Sequence, residues 1–585
     1  MEISRLRVGD EAFLVSSMIE RCPKSMMLRE LVKNALEAAE RADAGGRSVV
    51  IRPLMLPEGR KLSIWNSGPG MSAEELRRMC DIASSIGKSN GLDQNFGMGA
   101  KVASLPSNQL GLRYRSCKNG RVHEVMMGKR DGVYGRLLRP DASGALAEVL
   151  DVTDAARAEG APTEYDWTEV TLLGNRAEQD TVADPYDGAP GMSRNWIAEE
   201  LYARFFTLAE GVELVLQDGC HDKTGHRAFV PLAARLPLFA RHEAVAAERG
   251  IVLHYIYDAP DPDRRGETLG NRDTLSRQES FVGLLYRGEI YDRRAGGQWT
   301  HESPLFGVPF GSRNFSVLIH LPDDYPLLPD GYRQFLRHAG NLQHHILVRD
   351  YAALVTRNRP GWMLELLGRF APDAQHTEAV RGGMAALFAS LGVRRRWWPP
   401  GDGTPPPHGG DGIEYEVAPQ IVPLRDLVDI RERGLERKAA RFYRETHQLF
   451  LNTDYEAIGS IRDTLEREFA DEEDAEAVRA RALAAAEEVV TLRIARKLVF
   501  GLAKRDVWPQ HEVDQATSMF SLTLAADDPT GVLDEARAVM RGKALSAGPD
   551  EKEVQTRFMS AMKDLLALGG SNGGGQKLEL LLKLG

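Results

Sequence analysis

Glu30-Leu31-Val32-Lys33-Asn34-Ala35-Leu36-Glu37-Ala38 is the stretch on which the reading of this chain turns. Its spacing is helical. Residues at i, i+4 and i+7 share a helix face, so Glu30, Asn34 and Glu37 form a polar line. Leu31, Val32, Ala35, Leu36 and Ala38 fall largely elsewhere and can pack. A polar line in an otherwise apolar helix costs desolvation unless something meets it. A hard cation with its anionic ligand would do so. The Asn34 side-chain oxygen can ligate such a cation, and Glu30 can orient and deprotonate a water. Taken alone, Glu-x-x-x-Asn is more often a solvated face, and the rest of the chain has to decide.

Three further pieces follow. Lys61-Leu62-Ser63-Ile64-Trp65 alternates as a strand and enters Asn66-Ser67-Gly68-Pro69-Gly70-Met71, a tight turn whose glycines let the backbone approach a flat ligand. Ser72, followed by Glu74 and Glu75, is a helix N-cap with acids in the first turn. Next come Ser84-Ser85-Ile86-Gly87-Lys88-Ser89, a polar loop, and Asn95-Phe96-Gly97-Met98-Gly99-Ala100-Lys101, which ends on a helix start. Free N–H groups and the helix dipole at such a start can cradle phosphate. The spacing is not that of a Walker A loop, and the dinucleotide-binding glycine fingerprint is incomplete. The last piece, Asp166-Trp167-Thr168-Glu169-Val170-Thr171-Leu172-Leu173, alternates as a strand with Thr168 near its start.

In this order and at this spacing the four pieces resemble the GHKL (Bergerat-fold) ATPases, the superfamily of gyrase-type topoisomerases, MutL, stress chaperones, sensor histidine kinases and MORC proteins. The resemblance covers roughly the first two hundred residues. It implies an N-terminal α/β sandwich that takes ATP and Mg2+. Glu30 is then the catalytic base, Asn34 the magnesium ligand, and Glu37-Ala38 the acid-alanine pair that follows. Asn66, Gly68, Gly70 and Met71 form the adenine turn, with Thr168 holding the adenine-reading group. The Gly97-Met98-Gly99 backbone and Lys101, with Lys88, hold the phosphates, and Ser85, Phe96 and Ala100 complete the ATP-binding set. The Ser84–Asn95 segment, small and polar with glycine hinges, is the ATP lid, and its closure is expected to permit homodimerisation. One residue departs from the pattern: the family's adenine-reading Asp is Asn66, which can still accept a hydrogen bond but is neutral and can flip. Eukaryotic type II topoisomerases are similar here and use ATP. The Gly-Met-Gly-Ala-Lys ending looks closest to the MORC-like branch, which implies DNA handling or bacterial defence. Two alternatives to an ATP-driven enzyme remain open: a nucleotide-sensing scaffold with little turnover, and a chaperone-like protein clamp.

The whole chain sets bounds on these readings. It has 585 residues, 43% hydrophobic and 27% charged, which suits a globular protein of several domains. A net charge of −10 does not favour a surface basic throughout, although a local basic patch remains compatible. Cys22, Cys80, Cys117 and Cys220 are scattered, without metal-site or disulfide spacing, and fit reduced thiols in a cytosol. No basic-then-apolar leader opens the sequence and no apolar run is long enough for a membrane span, so a cytoplasmic protein is expected.

The expected domains are 1–235, the ATPase; 236–395, a second, transducer-like α/β domain; 396–412, a Pro/Gly-rich linker; and 413–585, mainly helical with a flexible tail. In the second, Ile251–Tyr257, Phe281–Tyr286 and Phe315–His320 read as strands, and the chain from Asp330 and from Tyr351 reads as helix. Arg333 and Arg337 read as exposed helix arginines more readily than as a switch to the γ-phosphate. Arg394-Arg395-Arg396-Trp397-Trp398 is the sharpest basic-aromatic cluster, and its simpler reading is a domain edge. A DNA or protein partner would be met through the C-terminal region.

Overall fold

Apolar residues along Met26–Ala39 repeat with helical period, and the segment forms helix α2, following α1 (Glu11–Glu20). Leu28, Leu31, Val32, Ala35, Leu36 and Ala39 are buried in the core of an α/β fold. The computed structural model describes residues 9–43, 46–82, 99–330, 334–370, 375–390, 418–444, 447–470, 474–503, 509–543 and 545. The lid segment with Ser85, Lys88, Phe96, Gly97 and Met98 lies outside these residues, as do Arg333, the Arg394–Trp398 cluster, the 396–412 linker and the glycine-rich tail.

The chain divides into two compact units: 1–295 with 313–360, and 296–312 with 361–585. The segment 236–395 is thus shared between them.

The first unit holds a nine-stranded sheet built from β1 (Ser48–Leu56), β2 (Gly59–Asn66), β3 (Leu112–Lys118), β4 (Arg121–Arg130), β5 (Val133–Arg136), β8 (Val149–Asp151), β9 (Trp167–Leu172), β10 (Glu213–Leu216) and β11 (Arg227–Ala228). Between β5 and β8, β6 (Arg139–Pro140) and β7 (Leu146–Ala147) make a separate ribbon. The sheet order β11-β10-β1-β2-β9-β3-β4-β5, with β8 also on β4, puts β9 in the middle. There its alternating pattern is buried on both faces. The polar residues are satisfied in place: Glu169 accepts from Ser63 and Arg52, and Thr171 accepts from Arg113. The β2–β9 register sets Asn66 opposite Thr168. Helix α2 packs on β1 and β2, beside α4 (Gly99–Ser104). Between them in sequence, α3 (Ala73–Met79) starts with a complete capping box of Ser72 and Glu75. Two later helices, α5 (Thr153–Ala158) and α6 (Trp196–Arg204), lie on either side of β9 in the chain.

A second sheet in the same unit contains β12 (Arg241–Ala246), β13 (Val252–Tyr257), β14 (Phe281–Tyr286), β15 (Glu289–Ala295) and β16 (Phe315–His320), in the order β12-β13-β16-β14-β15. The helix expected from Asp330 is not what the described residues form. The Asp330 carboxylate accepts from the N–H groups of Gln334 and Phe335. β17 (Leu327–Pro329), β18 (Leu336–His338) and β19 (Asn341–Ile346) then form a small antiparallel sheet. Arg337 lies on β18, so it is not a helix arginine. Past this sheet a helix does form, at Ala352–Arg357.

The second unit is helical with one departure from expectation. Before its helices, β20 (Gln420–Leu424), β21 (Ala440–Tyr443) and β22 (Gln448–Asn452) form a three-stranded sheet in the order β20-β22-β21. Ile421, Val422, Leu449, Phe450 and Leu451 supply the apolar side chains that a strand buries more readily than a helix does. Helix Ala475–Ala503 then buries Val478, Ala482, Ala485, Val489 and further residues at helical spacing.

Candidate functional site

The site is assembled around α2. Glu30 is 5% exposed, Asn34 is exposed and Glu37 is half-buried, so the polar line runs from a buried end to an open middle. At the buried end the carboxylate of Glu30 meets the first residue of α4. A Cβ added to Gly99 would lie 2.0 Å from Glu30 Oε2. A side chain at this position would therefore displace the Glu30 carboxylate. Glu30 Oε1 accepts from the Arg29 guanidinium, which is itself buried.

At the other end of α2 a second glycine is equally constrained. A Cβ on Gly68 would come within 2.8 Å of both Ala38 Cβ and Asn66 Oδ1. Gly70 has a φ of +60°, and a Cβ there would sit 1.9 Å from the Cys117 carbonyl oxygen. The sequence assigns these glycines to the close approach of a flat ligand. What they approach here is protein: α2 for Gly68 and β3 for Gly70. From Glu30 to Ala38 is eight residues, a rise of about 12 Å, and exposed Asn34 lies midway.

Asn66 is 4% exposed and its amide is fixed from both sides. Nδ2 donates to the Thr168 carbonyl at 3.2 Å, and Oδ1 accepts from Gly68 N–H at 3.1 Å. Reversing the amide would set donor against donor and acceptor against acceptor, so the flip is opposed by both partners. Each side-chain atom keeps one further position, an N–H and a lone pair. It is the Thr168 main chain that holds Asn66. The Thr168 hydroxyl pairs instead with Ser116 Oγ at 2.8 Å. Ser116 Oγ also donates to the Trp167 carbonyl at 3.0 Å and accepts from Met71 N–H at 2.8 Å. Ser116 ties the turn to β9, a part that nothing in its local sequence announces.

Lys101 requires a correction. The resemblance makes it a phosphate ligand, but its ammonium is buried and donates to the carbonyls of Met79 at 2.5 Å and Asp81 at 2.6 Å. It thereby fastens α4 to the carbonyl end of α3. Burial depresses its pKa to about 8. Ala100 beside it is buried in the core.

Arg29, Glu289, Arg204 and Lys33 also belong to this region and were not singled out from sequence. Arg29 donates Nε to Glu289 Oε2 at 2.8 Å and Nη2 to Glu289 Oε1 at 2.6 Å. Arg204 Nε donates to Glu289 Oε2 at 2.9 Å, and Lys33 Nζ is 3.7 Å from Oε1. The adjacent Arg29-Glu30 pair was legible as charge. Glu289, 260 residues from Arg29, carries no local signal.

Among the described residues no group of three or more His, Cys, Asp or Glu could hold a metal, and no helix is long and apolar enough to cross a membrane. All four cysteines are free and buried.

No protein-family model matches this chain, and no curated protein matches it. Among solved structures it is similar to the B-subunit of DNA gyrase from Myxococcus xanthus, with 14% sequence identity and a TM-score of 0.31. The match covers 59% of this chain and 93% of that one. A likeness at this level carries no argument about the site, which has to be read from its own residues.

Proposed function

We propose that this protein binds ATP with magnesium along α2 and hydrolyses it, with Glu30 as the general base. The observation that carries the reading is the convergence on one helix of two motifs distant in sequence. Gly99 abuts the Glu30 carboxylate at one end of α2, and Gly68 abuts Ala38 at the other. Between them lies the exposed amide of Asn34. An exposed side-chain oxygen suits magnesium, which usually takes one or two protein ligands and completes its shell with phosphates and water. Bound by Asn34 and the phosphates, the ion would offset charge that builds up during phosphoryl transfer.

Glu30 orients the attacking water and takes its proton. Asn66, with one N–H and one lone pair left over, reads the base edge. A group offering both a donor and an acceptor is less selective for adenine than a carboxylate, so GTP is the competitor to measure.

Lid closure over Ser84–Asn95, ATP-dependent dimerisation and action on DNA come from the family resemblance. The particle size with and without a non-hydrolysable ATP analogue tests the dimer. DNA binding titrated against salt tests the client. A second reading, a nucleotide-sensing scaffold with little turnover, is favoured by one feature: Arg29 engages the Glu30 carboxylate. Phosphate release measured on the full chain separates the two. Turnover that disappears in Glu30→Gln while ATP affinity persists is expected for the enzyme. ATP binding without turnover in the unaltered protein makes it the scaffold.

A further inference from the structure

We propose that Glu289 is a positioning residue for hydrolysis: by holding the Arg29 guanidinium it sets how firmly Arg29 grips Glu30, and so links the second sheet to the base. The inference rests on the reading of Glu30 as that base.

Arg29 is shared between two carboxylates. Its Nε and Nη2 go to Glu289, and its Nη1 goes to Glu30. The side chains of Arg29, Glu30 and Glu289 are 4%, 7% and 6% exposed, so water screens these contacts little. Glu289 is itself braced. Arg204 donates to it at 2.9 Å and to the Ile290 carbonyl at 3.1 Å, with its guanidinium 4.0 Å from the centre of the Tyr291 ring. Burial disfavours the Glu289 anion, but Arg204, Arg29 and Lys33 outweigh it and hold the carboxyl at about 2, so it stays charged.

The backbone provides the mechanical connection. Glu289 opens β15 and bridges Phe205, the residue that ends α6. Phe206 N–H donates to the Gly288 carbonyl at 3.0 Å. The β14–β15 turn is therefore fastened to the end of α6, and any displacement of that turn carries Glu289 with it. With Glu289 neutral, Arg29 would lose its charged partner on β15 and keep only Glu30. Arg29 could then turn wholly onto Glu30 and pull it from its position against Gly99.

The test is kcat together with ATP affinity, measured on the full chain for the unaltered protein, Glu289→Gln, Glu289→Gln with Arg29→Met, and Glu30→Gln. Glu289→Gln should lower kcat by roughly 10- to 100-fold with little change in ATP affinity. Adding Arg29→Met should restore most of that loss, because the guanidinium that Glu289 restrains is then gone, whereas losses from a merely structural role would add. If Glu30→Gln is inactive while Glu289→Gln keeps full kcat, or while Arg29→Met restores nothing, this inference is wrong and the base assignment survives. If Glu30→Gln retains turnover, the base assignment itself fails. Should Glu289→Gln not fold, the double variant decides: a kcat still lowered about 10-fold or more there overturns the proposal.

Discussion

Gly99→Ala places a methyl group against the proposed base without asking anything else of the backbone. Gly99 is the first residue of α4, outside the helix interior where exchanging glycine for alanine has its full effect on the backbone. The new Cβ would lie 2.0 Å from Glu30 Oε2, whereas ordinary contact begins at 3.4 Å. Something must therefore retreat by 1.4 Å (3.4 − 2.0). The next contacts, at 2.7 Å and 3.4 Å, are also Glu30 atoms, so the carboxylate is what yields. A side chain forced off its rotamer costs about 0.5–1.5 kcal/mol, so melting should fall only slightly. Catalysis should change much more, since a misplacement of about 1 Å can cost ~100-fold. The assay is steady-state phosphate release, with ATP affinity and thermal unfolding measured on the same preparation. A 100-fold loss of kcat is expected at nearly constant affinity and melting temperature. Full kcat in Gly99→Ala would refute the claim that hydrolysis depends on the Glu30 carboxylate at this position.

Other expectations follow from buried groups. His254 Nδ1 lies 3.1 Å from His242 Nε2, and the His320 ring is 5.8 Å away. Burial first, then the His242 and His320 charges, lower the His254 pKa from 6.5 to about 4. The folded state therefore binds fewer protons than the unfolded state between those values. Stability should be full above pH 6.5 and fall on acidification, by roughly 3 kcal/mol once below 4. Urea unfolding at pH 7.5 and pH 5 measures this, and a pH slope unchanged in His254→Gln would refute the assignment. Lys101→Met should cost about 2–3 kcal/mol by leaving the carbonyls of Met79, at the end of α3, and of Asp81 just beyond it without their donor, yet keep ATP affinity within about twofold. A tenfold loss of affinity would return Lys101 to the phosphates. Asn66→Asp sets a carboxylate oxygen where Nδ2 now donates to the Thr168 carbonyl, so about 1–3 kcal/mol of stability should be lost at neutral pH. Unchanged thermal unfolding would refute this.

Much of the framework was legible because it depends on residues close in the chain. Alternation marked β2, β9 and three strands of the second sheet. Ser72 with Glu75 marked the start of α3, and the capping box formed. The polar line of α2 was legible as periodicity. It was not legible that Glu30 would be buried and Asn34 exposed, because burial depends on what packs against each turn. The chain from Asp330 was misread for a related reason. The segment contributes short strands that find their partners only in three dimensions.

The sequence by itself determined the helix on which the Glu30 carboxylate and the Asn34 amide share a face, and the capped start of α3, since both follow from short-range periodicity and capping. Tertiary structure decided the rest of the site. It turned the Lys101 ammonium onto two carbonyls and the Thr168 hydroxyl onto Ser116. It also set Glu289 against Arg29 across 260 residues. Directions of this kind are chosen by competition among buried donors and acceptors, each of which has to find a partner away from water. No local pattern encodes the outcome of that competition.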